Sequence, residues 1–214
     1  QQSGVVTRIK SRRGSLDNKK GEMELFDGVE IDGLLFELIT GEARVMPHVH
    51  LSLQAGHDLT LKRMKRRHSR AQATELVEGL RARRPDIAFG ADLIAGFPTE
   101  DEAAHQANLS IIGELRLVHG HVFPYSPRPR TPAARMPQVD PATIKARAAQ
   151  LRSAIAAERA RWLQGLVGQE LEVLAERDGT GHAPNFARVQ LPAGTHAGTL
   201  VTVTPTRIVE GLLA

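Results

Sequence analysis

Three features of this 214-residue sequence could do chemistry: two histidines in close spacing, an acid inside an apolar run, and a dense group of cations. His48 and His50 lie two apart in VMPHVHLSLQ, so on a strand both face the same way. Imidazole is a common metal ligand. No third ligand of suitable spacing accompanies the pair, so polar packing inside a barrel is expected and no metal site is assigned. Asp92 interrupts IAFGADLIAG. A carboxylate there is costly unless hydrogen-bonded, so it either faces a polar site or is satisfied by backbone amides. Lys62, Arg63, Lys65, Arg66, Arg67 and Arg70 put six cations into the nine residues KRMKRRHSR, with no acid among them. Such a run either displaces counterions from a polyanion or is a solvated helix face. Uncompensated like charges cost stability, which keeps the polyanion reading open. No residue stands out as a catalytic acid, base or nucleophile. Cysteine is absent altogether, which excludes disulfides, thiolate catalysis, Cys-zinc sites and Cys-ligated iron–sulfur clusters within this chain.

The elements that position these groups alternate. Ile31–Ile39 carries a helical stripe, and Val45–Gln54 is β-rich, with Val49, Leu51 and Leu53 on one face and His48, His50, Ser52 and Gln54 on the other. Helices are predicted near 57–66 and 70–84, a strand over 87–95, a helix over 100–115 and a strand over 117–125. This order implies a parallel sheet with helical crossovers. YSPRPRTPAARMP, with four prolines in thirteen residues, must be an extended loop. Asp140 then caps a helix with Pro141 in its first turn, running to about Gly165. From Val167 short strands and turns predict a small all-β module. The expected divisions are a loosely ordered basic arm over 1–26, an α/β part over 27–137, a connecting helix over 138–165 and the β-module over 166–214. The arm carries six Lys/Arg against three acids.

Ligands of parallel α/β folds bind at the carboxyl ends of the strands. Those ends are Gln54-Ala55-Gly56, Ala95 to Glu100, and Pro124 to Arg128. Gly96 before Phe97-Pro98 suits a close backbone approach to a ligand, or an ordinary strand-to-helix turn. The formal charge of +4 favours a polyanionic partner. It is concentrated in the α/β part: 116–161 has nine Lys/Arg against two acids, whereas 166–214 has three Arg against five acids. No segment is apolar enough to span a bilayer and no secretion signal opens the chain, so a cytoplasmic location is expected.

The phrases MPHVHLSLQAG, LKRMKRRHSR, FGADLIAGFPTE and HVFPYSPRPRTPAARMPQV, in this order, resemble the radical-SAM tRNA methylthiotransferases. The branch most similar acts on N6-threonylcarbamoyladenosine at position 37 of tRNA. The likeness runs from about Asp27 to the end. It implies a partial TIM-type radical-SAM barrel followed by a TRAM-like β-barrel that holds tRNA. It also implies S-adenosylmethionine and [4Fe-4S] clusters as cofactors, and transfer of a methylthio group to C2 of the adenine. By position, Gln54, Asp92, Gly96, Pro98, Phe123, Pro124 and Tyr125 would face S-adenosylmethionine. Lys62, Arg63, Lys65, Arg66, Arg67, Arg70, Arg128 and Arg130 would face RNA.

The departures are specific. The CxxxCxxC loop, the N-terminal domain with three more cysteines and the earlier barrel strands have no counterpart here. Ala55 replaces the family's Ser, and Arg130 stands where the family has Gly, a residue that often marks a positive φ. The chain is therefore expected to be inactive alone. Either it works with a missing cluster-bearing half, or it is a non-catalytic module that binds RNA or a partner.

Overall fold

A computed structural model describes residues 33–214 in full, together with the backbone of three short strands before them. These are β1 (Lys10–Ser11), β2 (Gly14–Asp17) and β3 (Glu22–Leu25). They fall within the stretch expected to be a loosely ordered arm; the rest of that stretch lies outside the described residues. The architecture is mixed α/β, with two six-stranded sheets and five helices among the described residues.

The first sheet is built on three parallel strands, β4 (His48–Gln54), β5 (Ala88–Ala95) and β6 (Leu117–Pro124), in the order β1-β2-β3-β4-β5-β6. Helix α1 (Gly33–Gly41) precedes β4. Helices α2 (Asp58–Arg63) and α3 (Arg70–Arg83) connect β4 to β5, and α4 (Glu102–Glu114) connects β5 to β6. The helix starts match the capping chemistry of the sequence. Ser69 and Gln72 form a reciprocal capping box at α3, and Asp101 and Asp140 accept the amides of Ala104 and Thr143. Val49, Leu51 and Leu53 point with Phe89, Ala91 and Leu93 into the main core, against Val77, Leu80, Ile111 and Ile112 from the helices. The alternation expected for 49–54 therefore holds until the register shifts between Leu51 and Gln54, where Gln54 adopts φ +69°.

After β6 the proline-rich segment contains only a 3-10 turn, Ala133–Arg135, and then the long helix α5 (Pro141–Leu166) begins. It serves both halves. Ala148, Leu151 and Ile155 join the main core, whereas Leu163 and Leu166 join a second one with Val173, Val189 and Leu213. That second core belongs to a sheet of β7 (Leu171–Ala175), β8 (Thr180–His182), β9 (Arg188–Gln190), β10 (Leu200–Val203), β11 (Ile208–Val209) and β12 (Leu212–Leu213). PAGTHAG forms a pair of turns between β9 and β10. A cavity of about 870 Å³ lies between the halves, lined by Phe89, Trp162 and Asn185 among others.

Candidate functional site

The three parallel strands bring their carboxyl ends to one rim. Gln54 pairs with Leu93, Ala95 with Pro124, and the Tyr125 amide donates to Ala95 O at 2.8 Å. Phe97 and Tyr125 meet edge to face at 5.4 Å. Phe123 is exposed, and the Tyr125 hydroxyl is buried without a partner among the described residues. The loops beyond the strands also touch: the Thr99 amide donates to Pro137 O at 3.1 Å, and Arg63 reaches Thr99 O at 3.5 Å. Gln54, Phe123, Pro124 and Tyr125 thus share one rim with the cations of α2.

Gly96 and Pro98 are buried in the turn itself. Gly96 has φ +72°, and a Cβ there would stand 2.4 Å from Ile144 of α5, so its close approach is to this helix. Its amide is already taken by Glu100, which anchors a buried network. Glu100 accepts from the Gly96 amide at 3.1 Å, Arg147 at 3.1 Å and Asn108 at 3.0 Å; Asn108 in turn accepts the Gly56 amide at 2.7 Å. Both turns that follow β4 and β5 are thereby pinned to α4 and α5. Burial pushes the Glu100 carboxyl up, against the Gly96 amide and the Arg147 charge.

The cation run divides. Lys62, Arg63, Lys65 and Arg67 are exposed and Arg66 is half-buried, at the end of α2 and in the turn after it. Arg70 faces inward instead: it donates to Gly56 O, Ala107 O and Ser110 Oγ and pairs with Glu114. It braces the fold. Arg128 and Arg130 are exposed in the proline-rich loop, and Arg130 has φ +69°, the conformation that the family's glycine would adopt freely.

A second polar cluster lies on the sheet face away from the main core, beside Trp162 of α5 and Phe186. Asp92 is held neither by backbone amides nor by solvent alone. Its Oδ1 lies 3.1 Å from His50 Nε2 and 3.1 Å from His121 Nδ1. Burial alone would raise the Asp92 carboxyl, but hydrogen bonds and charge from the two histidines hold it below the usual range. Below this trio, the rings of His48 and His119 meet edge to face at 5.0 Å, with Phe186 4.5 Å from His48 and Trp162 5.5 Å from His119. Burial lowers His48 to about 4 and His119 to about 3, helped in each case by neighbouring imidazoles. Gly90 makes room, since a Cβ there would stand 2.5 Å from His50 Nδ1. The sequence reading singled out His48, His50 and Asp92 but not His119 and His121. The same H-x-H spacing, repeated in HGH on the last strand, was the available signal.

No family model matches the chain. It is similar to the threonylcarbamoyladenosine tRNA methylthiotransferase MtaB of Rickettsia prowazekii, with 43% identity over 195 residues, 91% of this chain and 46% of that protein. It is also 43% identical over 137 residues to the tRNA-2-methylthio-N(6)-dimethylallyladenosine synthase of Ruegeria pomeroyi, 64% of this chain and 31% of that protein. The Erythrobacter litoralis synthase of the same name is 39% identical over 167 residues, 75% of this chain and 37% of the relative. The chain spans less than half the length of each of these relatives. No helix among the described residues is long and apolar enough to cross a membrane.

Proposed function

We propose that this chain, similar to tRNA methylthiotransferases over as much as 91% of its length, belongs to their radical-SAM family and forms the tRNA- and S-adenosylmethionine-facing part of such an enzyme. The substrate is N6-threonylcarbamoyladenosine at position 37 of tRNA, methylthiolated at C2. One observation carries this choice: the match to the threonylcarbamoyladenosine enzyme takes in 91% of the chain, against 64% and 75% for the dimethylallyladenosine enzymes. Residues 27–137 are read as part of a TIM-type barrel, 138–165 as the helix joining it to a TRAM-like module, and 166–214 as that module. A tRNA substrate puts the reaction in the cytoplasm.

The family's two kinds of cofactor fit this chain differently. A [4Fe-4S] cluster does not fit, because there is no cysteine to ligate it. Its ligands must come from the part of the enzyme to which the chain has no counterpart, so these residues alone do not complete the reaction. S-adenosylmethionine fits the strand-end rim, where the buried Tyr125 hydroxyl has no partner among the described residues and the Tyr125 and Phe123 rings offer aromatic faces. Bound there it would supply the methyl group and the adenosyl precursor of the radical. The chain's own contribution is to orient it. Gln54 offers its amide, Phe123 and Tyr125 stack, and Glu100 with Arg147 holds the Gly56 and Gly96 turns in place. Arg63 reaches the turn after β5 at this rim, and with it Lys62, Lys65, Arg66, Arg67, Arg128 and Arg130 would hold RNA phosphates.

Deleting the reading frame that carries this sequence and measuring the nucleosides of total tRNA by mass spectrometry tests the proposal. The expected result is loss of 2-methylthio-N6-threonylcarbamoyladenosine, with its unthiolated parent accumulating. Loss of the dimethylallyl-type methylthio nucleoside instead would move the chain to the other branch. An unchanged nucleoside profile would leave the second reading, a non-catalytic RNA-binding module, which the absence of cysteine favours.

A further inference from the structure

The family resemblance assigns Asp92 to S-adenosylmethionine, but its carboxylate is engaged by His50 and His121, and the geometry of the three is that of a ligand set. We propose that these three side chains bind a divalent first-row transition metal ion, through His50 Nε2, one Asp92 carboxylate oxygen and His121 Nδ1. The three donors come from three adjacent strands, β4, β5 and β6, and all lie within 4.8 Å of one another. Both nitrogen-to-oxygen separations are 3.1 Å. With metal–ligand bonds of about 2.1 Å, adjacent ligands at 90–109° stand about 3.0–3.4 Å apart, so two edges of the polyhedron are already at length. Two imidazoles and one carboxylate are a donor set taken by Zn(II), Co(II) and Fe(II).

Three further observations support the site. Asp92 places a carboxylate half-buried in an otherwise apolar strand, a costly position that a cation would offset. Gly90 keeps the space beside His50 open, since any Cβ there would overlap the imidazole. Beside the trio, His48 Nε2 and His119 Nε2 are buried with no hydrogen-bond partner among the described residues, an unusual clustering of unmatched polar atoms. The side chain of His121 is 69% exposed, against 20% for His50 and 27% for Asp92, so the site opens on one side. That side leaves coordination positions for water or for an oxygen or nitrogen donor on a ligand. The absence of cysteine removes the soft ligands that would compete for the same ion.

The test uses the metal-free 214-residue chain, titrated calorimetrically with zinc chloride, with cobalt(II) absorption as a second readout of coordination. The expected result is one equivalent of zinc bound, and cobalt d–d bands of a protein-bound ion. Asp92→Asn, His50→Gln and His121→Gln should each weaken zinc binding by more than about 100-fold, beyond the 10–100-fold typical of losing an outer partner. His196→Gln, an exposed histidine in the β-module, should leave it unchanged. His121→Gln guards against misfolding as the cause, because that side chain is mostly in solvent and its thermal melt without metal should match the parent. Zinc binding that survives His121→Gln and Asp92→Asn would assign the ion to other surface histidines and overturn the proposal. So would the absence of any stoichiometric binding.

Discussion

Two polar clusters serve the same three strands, and they are finished to different degrees. At the carboxyl ends, Glu100 has a side chain that is 0% exposed, and both of its oxygens are hydrogen-bonded, to Gly96, Arg147 and Asn108. On the sheet face away from the main core, His48 is buried and His119 half-buried, yet each leaves a buried ring nitrogen unmatched among the described residues. A buried charge survives only when fully partnered, whereas a neutral imidazole tolerates a missing bond at smaller cost. The first cluster is therefore a brace for the turns. The second is a layer of imidazoles around one carboxylate.

The largest effect that would sharpen this contrast is at the brace. Arg147→Ala leaves the Glu100 carboxylate buried and unpaired, and should cost about 3–5 kcal/mol, read from urea denaturation. Adding Glu100→Gln should recover part of that loss, because the charge is then gone. If Arg147→Ala melted like the parent, the brace would be a surface contact. The histidine layer should instead show itself in pH. His48 and His119 sit at about 4 and about 3, below their ordinary 6.5. The unfolded chain takes up protons first as pH falls, so their contribution to stability is full above about pH 7 and is lost as pH drops from 6.5 towards 4. At about 1.4 kcal/mol per unit for each group below 6.5, the pair should cost about 4 kcal/mol between pH 7 and pH 5. Glu100, raised by burial, acts in the opposite sense as pH falls towards 4.5. Replacing both histidines by Leu should flatten the limb; a slope unchanged by that replacement would place the proton uptake elsewhere.

The brace and the layer differed in how legible they were. Helix periods, the cap at Asp140, and the alternation of Val49, Leu51 and Leu53 are local, so the element order was readable from the sequence alone. The role of Arg70 was not. It looks like one cation in a run of six, and only the closeness of Gly56, Ala107 and Glu114 makes it a brace. The histidine layer was missed for the same reason. Its members are spread over residues 48–121 and meet only through the register that pairs Asp92 with His121 and His50 with Gly90. By contrast, the positive φ of Arg130 was foreshadowed by one substitution in a motif.

Gly90 offers a finer cut through the layer. Gly90→Ala would set a Cβ 2.5 Å from His50 Nδ1 and 3.0 Å from His119 Cβ, so a ring must move. The expected cost is about 1–3 kcal/mol, measured by thermal melting. No change in melting would mean that the imidazoles already have room, and the layer is looser than its distances indicate.

The smallest expected effect concerns the rim, where charge and strain oppose each other in one residue. Arg130 is exposed at φ +69°, a left-handed conformation that costs a residue with a Cβ about 1–2 kcal/mol. Arg130→Gly removes that cost but restores about 0.5–1 kcal/mol of unfolded-chain freedom, so a net gain of about 0.5 kcal/mol is expected in the melt. If Arg130 serves RNA, the same variant should bind tRNA more weakly, with the salt dependence reduced by about one phosphate contact. A variant that is more stable and binds worse would show that the strain is kept for the charge. One that is more stable and binds as before would remove Arg130 from the RNA-facing set, leaving that role to Arg128 and the cations around Arg63.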